Sequence, residues 1–216
     1  MVICGKEKYI GYVCGMLYGR GMISLNAKYG NYLILFESGK KHLAEVFLSY
    51  LNMFAIKKAR MGMKKRGDKK SFVVSLYSKA DVELFKELGF VSNGKKHVPS
   101  LCTENAVFRK FFLRGILDSK ATIQVRVSQG KKRVCLRIFS MSLDFLEDVR
   151  ELLLLEGIKS IVYRSGTCYC LEINGKTKLW LLIKKVGFED EEKTMKLRKE
   201  LEYVPVHVHE MMNQTV

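Results

Sequence analysis

Proline is almost absent from this chain, with 2 residues in 216. Glycine is held to 17, and the apolar fraction is 48%. Together these exclude collagen-like and low-complexity chains and most disordered ones. No apolar run approaches the roughly 18 residues a membrane span requires. The apolar stretch at the N-terminus is broken by Lys6, Glu7 and Lys8, so no signal peptide is expected. The six cysteines (Cys4, Cys14, Cys102, Cys135, Cys168 and Cys170) contain no CxxC. Cys168 and Cys170 would share one face of a strand, which is poor geometry for a zinc knuckle. His42, His97, His207 and His209 pair with no cysteine at ligand spacing, and the last two fall in a tail where solvation is expected. No metal and no cofactor are therefore expected. Reduced thiols in a cytoplasmic protein are the reading, nucleoid-associated in a prokaryote. Acid is scarce too: 22 Asp and Glu stand against 38 Lys and Arg, for a net charge of +16. On a chain long enough for one large domain or two small ones, that excess points to a polyanion, most often nucleic acid.

What the chain does have is an internal repeat. Segment 7–20 is apolar at Ile10, Val13, Cys14 and Leu17, which is helical spacing. Segment 103–118 is apolar at Val107, Phe108, Phe111, Phe112 and Ile116, with Thr103 and Glu104 suited to a helix start. The two helices end in Gly15-Met-Leu-Tyr-Gly-Arg-Gly21 and Gly115-Ile-Leu-Asp-Ser-Lys-Ala121, 100 residues apart. After the second, 122–128 and 133–138 alternate as a hairpin with one apolar and one cationic face. A helix over 143–156 with Gly157 as its C-cap, strands at 158–164 and 169–173, and a helix over 177–185 follow. The first half repeats the order: strands 22–26 and 32–36, helix 42–54, strands 56–63 and 71–77 around a very basic turn, and helix 81–88. The expected class is α+β, two pseudo-symmetric α-β-β-α-β-β-α repeats. The division is 1–91, a linker at 92–102, 103–203, and a tail at 204–216.

This repeated order, with a glycine-centred motif closing each first helix, resembles a single-chain LAGLIDADG homing endonuclease over nearly the whole chain. Leu88-Gly-Phe90, Val186-Gly-Phe188 and Glu156-Gly-Ile158 add to the likeness. The resemblance implies that Gly15, Gly19 and Gly115 let two central helices approach along a pseudo-twofold axis. It also implies that each half supplies a curved antiparallel sheet, the two forming a saddle on DNA. In active members the last acidic residue of each motif holds a divalent metal beside the scissile phosphate. Here Arg20 and Lys120 stand at those positions. Neither can ligate such an ion. Asp118, two residues earlier, is turned about 200° around a helix and is expected to be a solvated helix-end acid.

The chain is accordingly expected to be a degenerate member that binds without cutting, with Arg20 and Lys120 facing DNA phosphates. Segment 57–70 holds eight basic residues and one acid. Arg60, Lys64, Lys65, Arg66, Lys69 and Lys70 are its candidates for gripping phosphates. Thr122, Gln124, Arg126, Ser128, Arg133 and Arg137 line the polar face of the second-half hairpin, where Arg reads guanine and Gln reads adenine. Ser24 and Asn26 could join them; Arg164 and Lys131 are weaker candidates at loop ends. Phe111, Phe112, Phe145 and Trp180 fall on helical core faces. The expected partner is double-stranded DNA, bound sequence-specifically by a monomer with internal pseudo-twofold symmetry, as in a transcription regulator. Two other readings stay open: an RNA-binding intron maturase, and a nuclease using other acids such as Glu37, Asp118 or Glu172.

Overall fold

A computed structural model describes residues 5–26, 31–90, 97–128 and 131–202. The elements run α1 (Glu7–Arg20), β1 (Gly21–Asn26), β2 (Asn31–Ser38), α2 (Lys41–Asn52), β3 (Arg60–Arg66), β4 (Lys69–Tyr77) and α3 (Lys79–Glu87). They continue with α4 (Leu101–Glu104), α5 (Ala106–Lys120), β5 (Thr122–Ser128), β6 (Lys131–Ser140), α6 (Leu143–Leu155), β7 (Ile161–Ser165), β8 (Cys168–Asn174), α7 (Lys176–Lys185) and α8 (Glu191–Leu201). The strands form two antiparallel sheets of identical order, β1-β2-β4-β3 and β5-β6-β8-β7.

Alternation dictates one buried face per sheet. In the first, Ile23 lies opposite Ile34, Ile34 opposite Leu76, and Phe36 opposite Val74, all buried. In the second, Ile123, Leu136 and Ile173 form one such row, and Ile138 and Leu171 another. The helices cover these faces, and α1 and α5 pack against each other at the centre. Their approach is so close that a Cβ on Gly15 would strike the Phe112 carbonyl, and one on Gly115 the Tyr12 carbonyl. A Cβ on Gly19 would strike Ser119. Gly11, which the motif reading passes over, belongs to the same contact, its Cβ position lying 2.6 Å from the Phe108 carbonyl oxygen.

Local chemistry accounts for several element ends. Gly157 adopts φ +78° after α6, with Ile158 N–H donating back to Leu153 and its own N–H to Leu154. That is a left-handed cap that favours glycine. Several boundaries depart from expectation. The second central helix is capped not by Thr103 but by Asn105, whose carboxamide oxygen accepts from Phe108 N–H at 2.9 Å. Thr103 sits in the separate short turn α4, which straddles the expected boundary between linker and second repeat; residues 92–96 of that linker lie outside the described residues. β3 starts at Arg60 rather than Ile56, because Ile56 N–H donates to Asp81 and Ala59 N–H to Asn52. Those donors cannot enter a ladder. The basic stretch is mostly paired strand, joined by a Gly67-Asp68 turn. A helix over 191–201 follows α7 where none was expected.

Candidate nucleic-acid interface

Each sheet keeps a second face with no helix on it, and most of the candidate residues stand there. In the first sheet the register puts Arg60, Lys64 and Arg66 of β3 and Lys69 of β4 on that face, beside Ser71, Ser75 and Tyr77. Lys65 and Lys70 face each other on the opposite side, so the six cations do not form one patch. Glu37 is the acid of this face; Ser71 Oγ donates to it at 2.7 Å, and Lys64 Nζ lies 4.0 Å away. Ser24 shares the face with Leu33, its cross-strand neighbour. The side chain of Asn26 lies outside the described residues, as do those of Ser128 and Lys131.

In the second sheet, Thr122, Gln124, Arg126, Arg133 and Arg137 share the helix-free face, with Cys135, Cys168, Cys170, Tyr163 and Glu172. Here one expectation fails. Arg137 is 9% exposed and ion-paired to Glu172, with Nε donating at 2.6 Å, while its Nη1 donates to Gln124 Oε1 at 2.9 Å. Tyr163 OH also donates to Glu172 at 2.9 Å. Burial works to raise the Glu172 carboxyl, but the hydrogen bonds from Arg137, Tyr163 and Asn174 hold it below its ordinary value. Arg137 and Gln124 therefore satisfy each other and an acid from the next strand, and neither is an uncommitted base reader. Arg126 and Arg133 remain exposed, directly opposite each other, with no ion pair to any other described residue. Arg164 is exposed on β7 and donates to the Gly166 carbonyl at 3.3 Å.

The two motif cations sit at the C-terminal ends of the central helices. Arg20 is exposed at the last position of α1. Lys120 is half-buried at the end of α5, its Nζ donating to the Phe139 carbonyl at 3.2 Å. A third cation, unforeseen, joins them. Lys193 of α8 reaches back to cap α5, donating to the Leu117 and Asp118 carbonyls at 2.8 and 2.6 Å. Burial lowers its ammonium to about 8, partly offset by Asp118 and Asp190 and reinforced by Lys40 and Arg20. Its sequence signal is an Asp190 cap and acidic first turn three residues ahead of it.

Asp118 is not the solvated acid expected. It is 1% exposed, accepting from Tyr12 OH and Glu189 N–H at 2.9 Å each and from Asp190 N–H at 3.2 Å. Burial raises its carboxyl to about 6 against the pull of those donors. Tyr18 is its counterpart 100 residues earlier, and its hydroxyl donates to the His97 carbonyl at 2.8 Å. Each motif thus pins a segment of its own half, the one after α3 in the first and the one between α7 and α8 in the second. Each segment is held from the other half as well. Asp148 of α6 accepts from Val98 N–H at 3.1 Å, and Tyr50 of α2 donates to Glu189 at 3.0 Å.

The divalent metal of active family members finds no fitting donor set here. The motif positions carry cations, Asp118 is saturated, Glu172 is ion-paired, and no group of three metal-ligating side chains occurs among the described residues. Nor is any helix among the described residues long and apolar enough to cross a membrane.

Comparison with known proteins agrees with this geometry. Residues 108–187 match the model of the LAGLIDADG-like domain family. The homing endonuclease I-DmoI, in a crystal structure with DNA and calcium, superposes with a TM-score of 0.64 at 16% identity, covering 88% of this chain and 98% of that one. Full-length DUF199/WhiA from Thermatoga maritima superposes with a TM-score of 0.62 at 14% identity, covering 99% of this chain and 66% of that one. A separate structure of the N-terminal LAGLIDADG domain of DUF199/WhiA superposes with a TM-score of 0.59 at 13% identity, covering 91% of this chain and 90% of that one. At these identities the likeness is one of fold. A DNA polymerase from Thermococcus litoralis is 22% identical over 200 residues, but the chain spans only 11% of that protein's length. The chain thus has the fold of I-DmoI, and its residues 108–187 match the LAGLIDADG-like domain family.

Proposed function

We propose that this protein binds double-stranded DNA sequence-specifically without cutting it, in the manner of a transcription regulator. The observation that carries the reading is the pair Arg20 and Lys120. Two carboxylates holding two divalent ions would bring a net +2 to the phosphates; Arg20 and Lys120 bring the same charge with no metal. The electrostatic part of the task can then persist where water activation has been lost. Exposed cations on both helix-free faces support the same reading, as a two-stranded ribbon fits the major groove. I-DmoI, which shares the fold, is seen in complex with DNA. Glu37, Asp118 and Glu172, the other acids weighed for a nuclease, are each engaged by protein donors.

The test has two arms. In competition binding, duplex DNA is expected to displace structured RNA at least tenfold more effectively than the reverse; a preference for RNA would favour a maturase-like role. In Mg²⁺, the wild type is expected to leave its bound duplex intact. Specific cuts would overturn the assignment of Arg20 and Lys120. The double substitution Arg20→Asp and Lys120→Asp is expected to regain some cleavage if the motif register is correct.

A further inference from the structure

The two sheets obey a pseudo-twofold relation that their cations do not. Identical strand order makes β3–β4 the counterpart of β7–β8, and β1–β2 that of β5–β6. β1 and β5 leave directly from the ends of the packed central helices, so they are the inner strands; β3 and β7 are the outer edges. In the first sheet the exposed cations of the helix-free face stand on the outer pair: Arg60, Lys64, Arg66 and Lys69. The inner pair presents Met22, Ser24, Leu33 and Leu35. In the second sheet they stand on the inner pair, as Arg126 and Arg133, while the outer pair presents Ile161, Tyr163, Cys170 and Glu172. Two of these cation sets are cross-strand partners, Arg66 with Lys69 and Arg126 with Arg133. Like charges directly opposite destabilise a ladder. A phosphate between them removes the repulsion and releases counterions from the duplex.

We propose that the protein holds a DNA duplex asymmetrically. The β3–β4 hairpin clamps backbone phosphates at the outer flank of one half-site, and Arg126 with Arg133 clamps phosphates near the centre of the other. This rests on the duplex-binding reading above and goes beyond it in naming which end is held where. From the midpoint of the inner pair to that of the outer pair is two strand spacings, ~10 Å, or about three base-pair steps. The two phosphate clusters therefore lie at distances from the site centre that differ by about that much.

Phosphate-ethylation interference tests this on a duplex of about 30 base pairs, roughly three helical turns, selected from random DNA by the wild type. Two clusters of sensitive phosphates at unequal distances from the centre are expected. The triple variant Lys64→Gln, Arg66→Gln and Lys69→Gln is expected to erase the outer cluster alone. Arg126→Gln with Arg133→Gln is expected to erase the inner one alone. The single variants Lys69→Gln and Arg133→Gln, each weakening its own cluster, serve if a multiple variant unfolds. Clusters equidistant from the centre, or variants that weaken both alike, overturn the asymmetry while leaving duplex binding in place. A wild type that selects no duplex removes the duplex reading and this proposal with it.

Discussion

Gly15 and Gly115 stand where two helix backbones touch, and the constraint on each is a carbonyl rather than a side chain that could turn aside. Adding a Cβ there forces the central helices apart. Gly15→Ala is expected to cost about 3 kcal/mol, lowering Tm by about 6–12 °C; thermal unfolding within 2 °C or so of wild type would contradict the contact. Asp118 supports a pH prediction. Its folded carboxyl, raised by burial from 3.8 to about 6, keeps a proton that the unfolded chain has lost. Between about pH 4 and 6 the folded state binds the more protons, so this group's contribution to stability falls as pH rises and levels off above 6. Asp118→Asn has no titrating carboxyl and is expected to lack that fall. Urea midpoints of the two proteins at several pH values check it, and a difference between them that does not change with pH would refute it. Burial of Asp118 was illegible in the sequence. Rotation about the helix correctly turned it away from the foot of the motif, but what lies on that side is the backbone of Glu189 and Asp190, 71 and 72 residues away.

At the scale of elements, α8 is held at its N-terminal end. Asp190 caps it, accepting from Lys193 N–H at 3.3 Å, and pairs with Lys40 Nζ at 3.0 Å. Lys193 in turn caps α5. Asp190→Ala removes the cap and the ion pair together and is expected to cost about 1–2 kcal/mol. Asp190→Asn keeps the cap and should cost less than half as much. Limited proteolysis within 186–202, faster in the alanine variant only, is the companion readout. The helix carries little periodic signal in the sequence because only Leu197 and Leu201 are buried on it, too few to mark an apolar face. The alternating hairpins, by contrast, were readable, since β5 and β6 each bury one row of residues. The split of the basic stretch was not. Knowing that Lys65 and Lys70 oppose the other four cations requires the register, and hence the strand start that Asp81 and Asn52 decide.

At the scale of the whole molecule, seven cations among the described residues stand exposed at the C-terminal ends of the central helices or on the helix-free faces: Arg20, Arg60, Lys64, Arg66, Lys69, Arg126 and Arg133. Lys64 is partly neutralised by Glu37 and Lys120 is half-buried against the Phe139 carbonyl, so the other six set the lower bound on the counterions displaced. The plot of log K against log [salt] for a duplex is then expected to have a slope of about −5. A slope shallower than about −2 would mean that the faces carry charge without using it. Arg137→Met, which deletes a committed arginine, should leave that slope unchanged. The repeat, the central glycine contact and the cations at both motif ends could be read from the chain, because each depends on residue type at a fixed spacing along it. Which cations are free, which carboxylate is buried and which flank each sheet presents depended on pairings across strands and between halves. Hydrogen bonds and ion pairs form between groups that the fold brings together from distant positions, so only the tertiary structure could decide them.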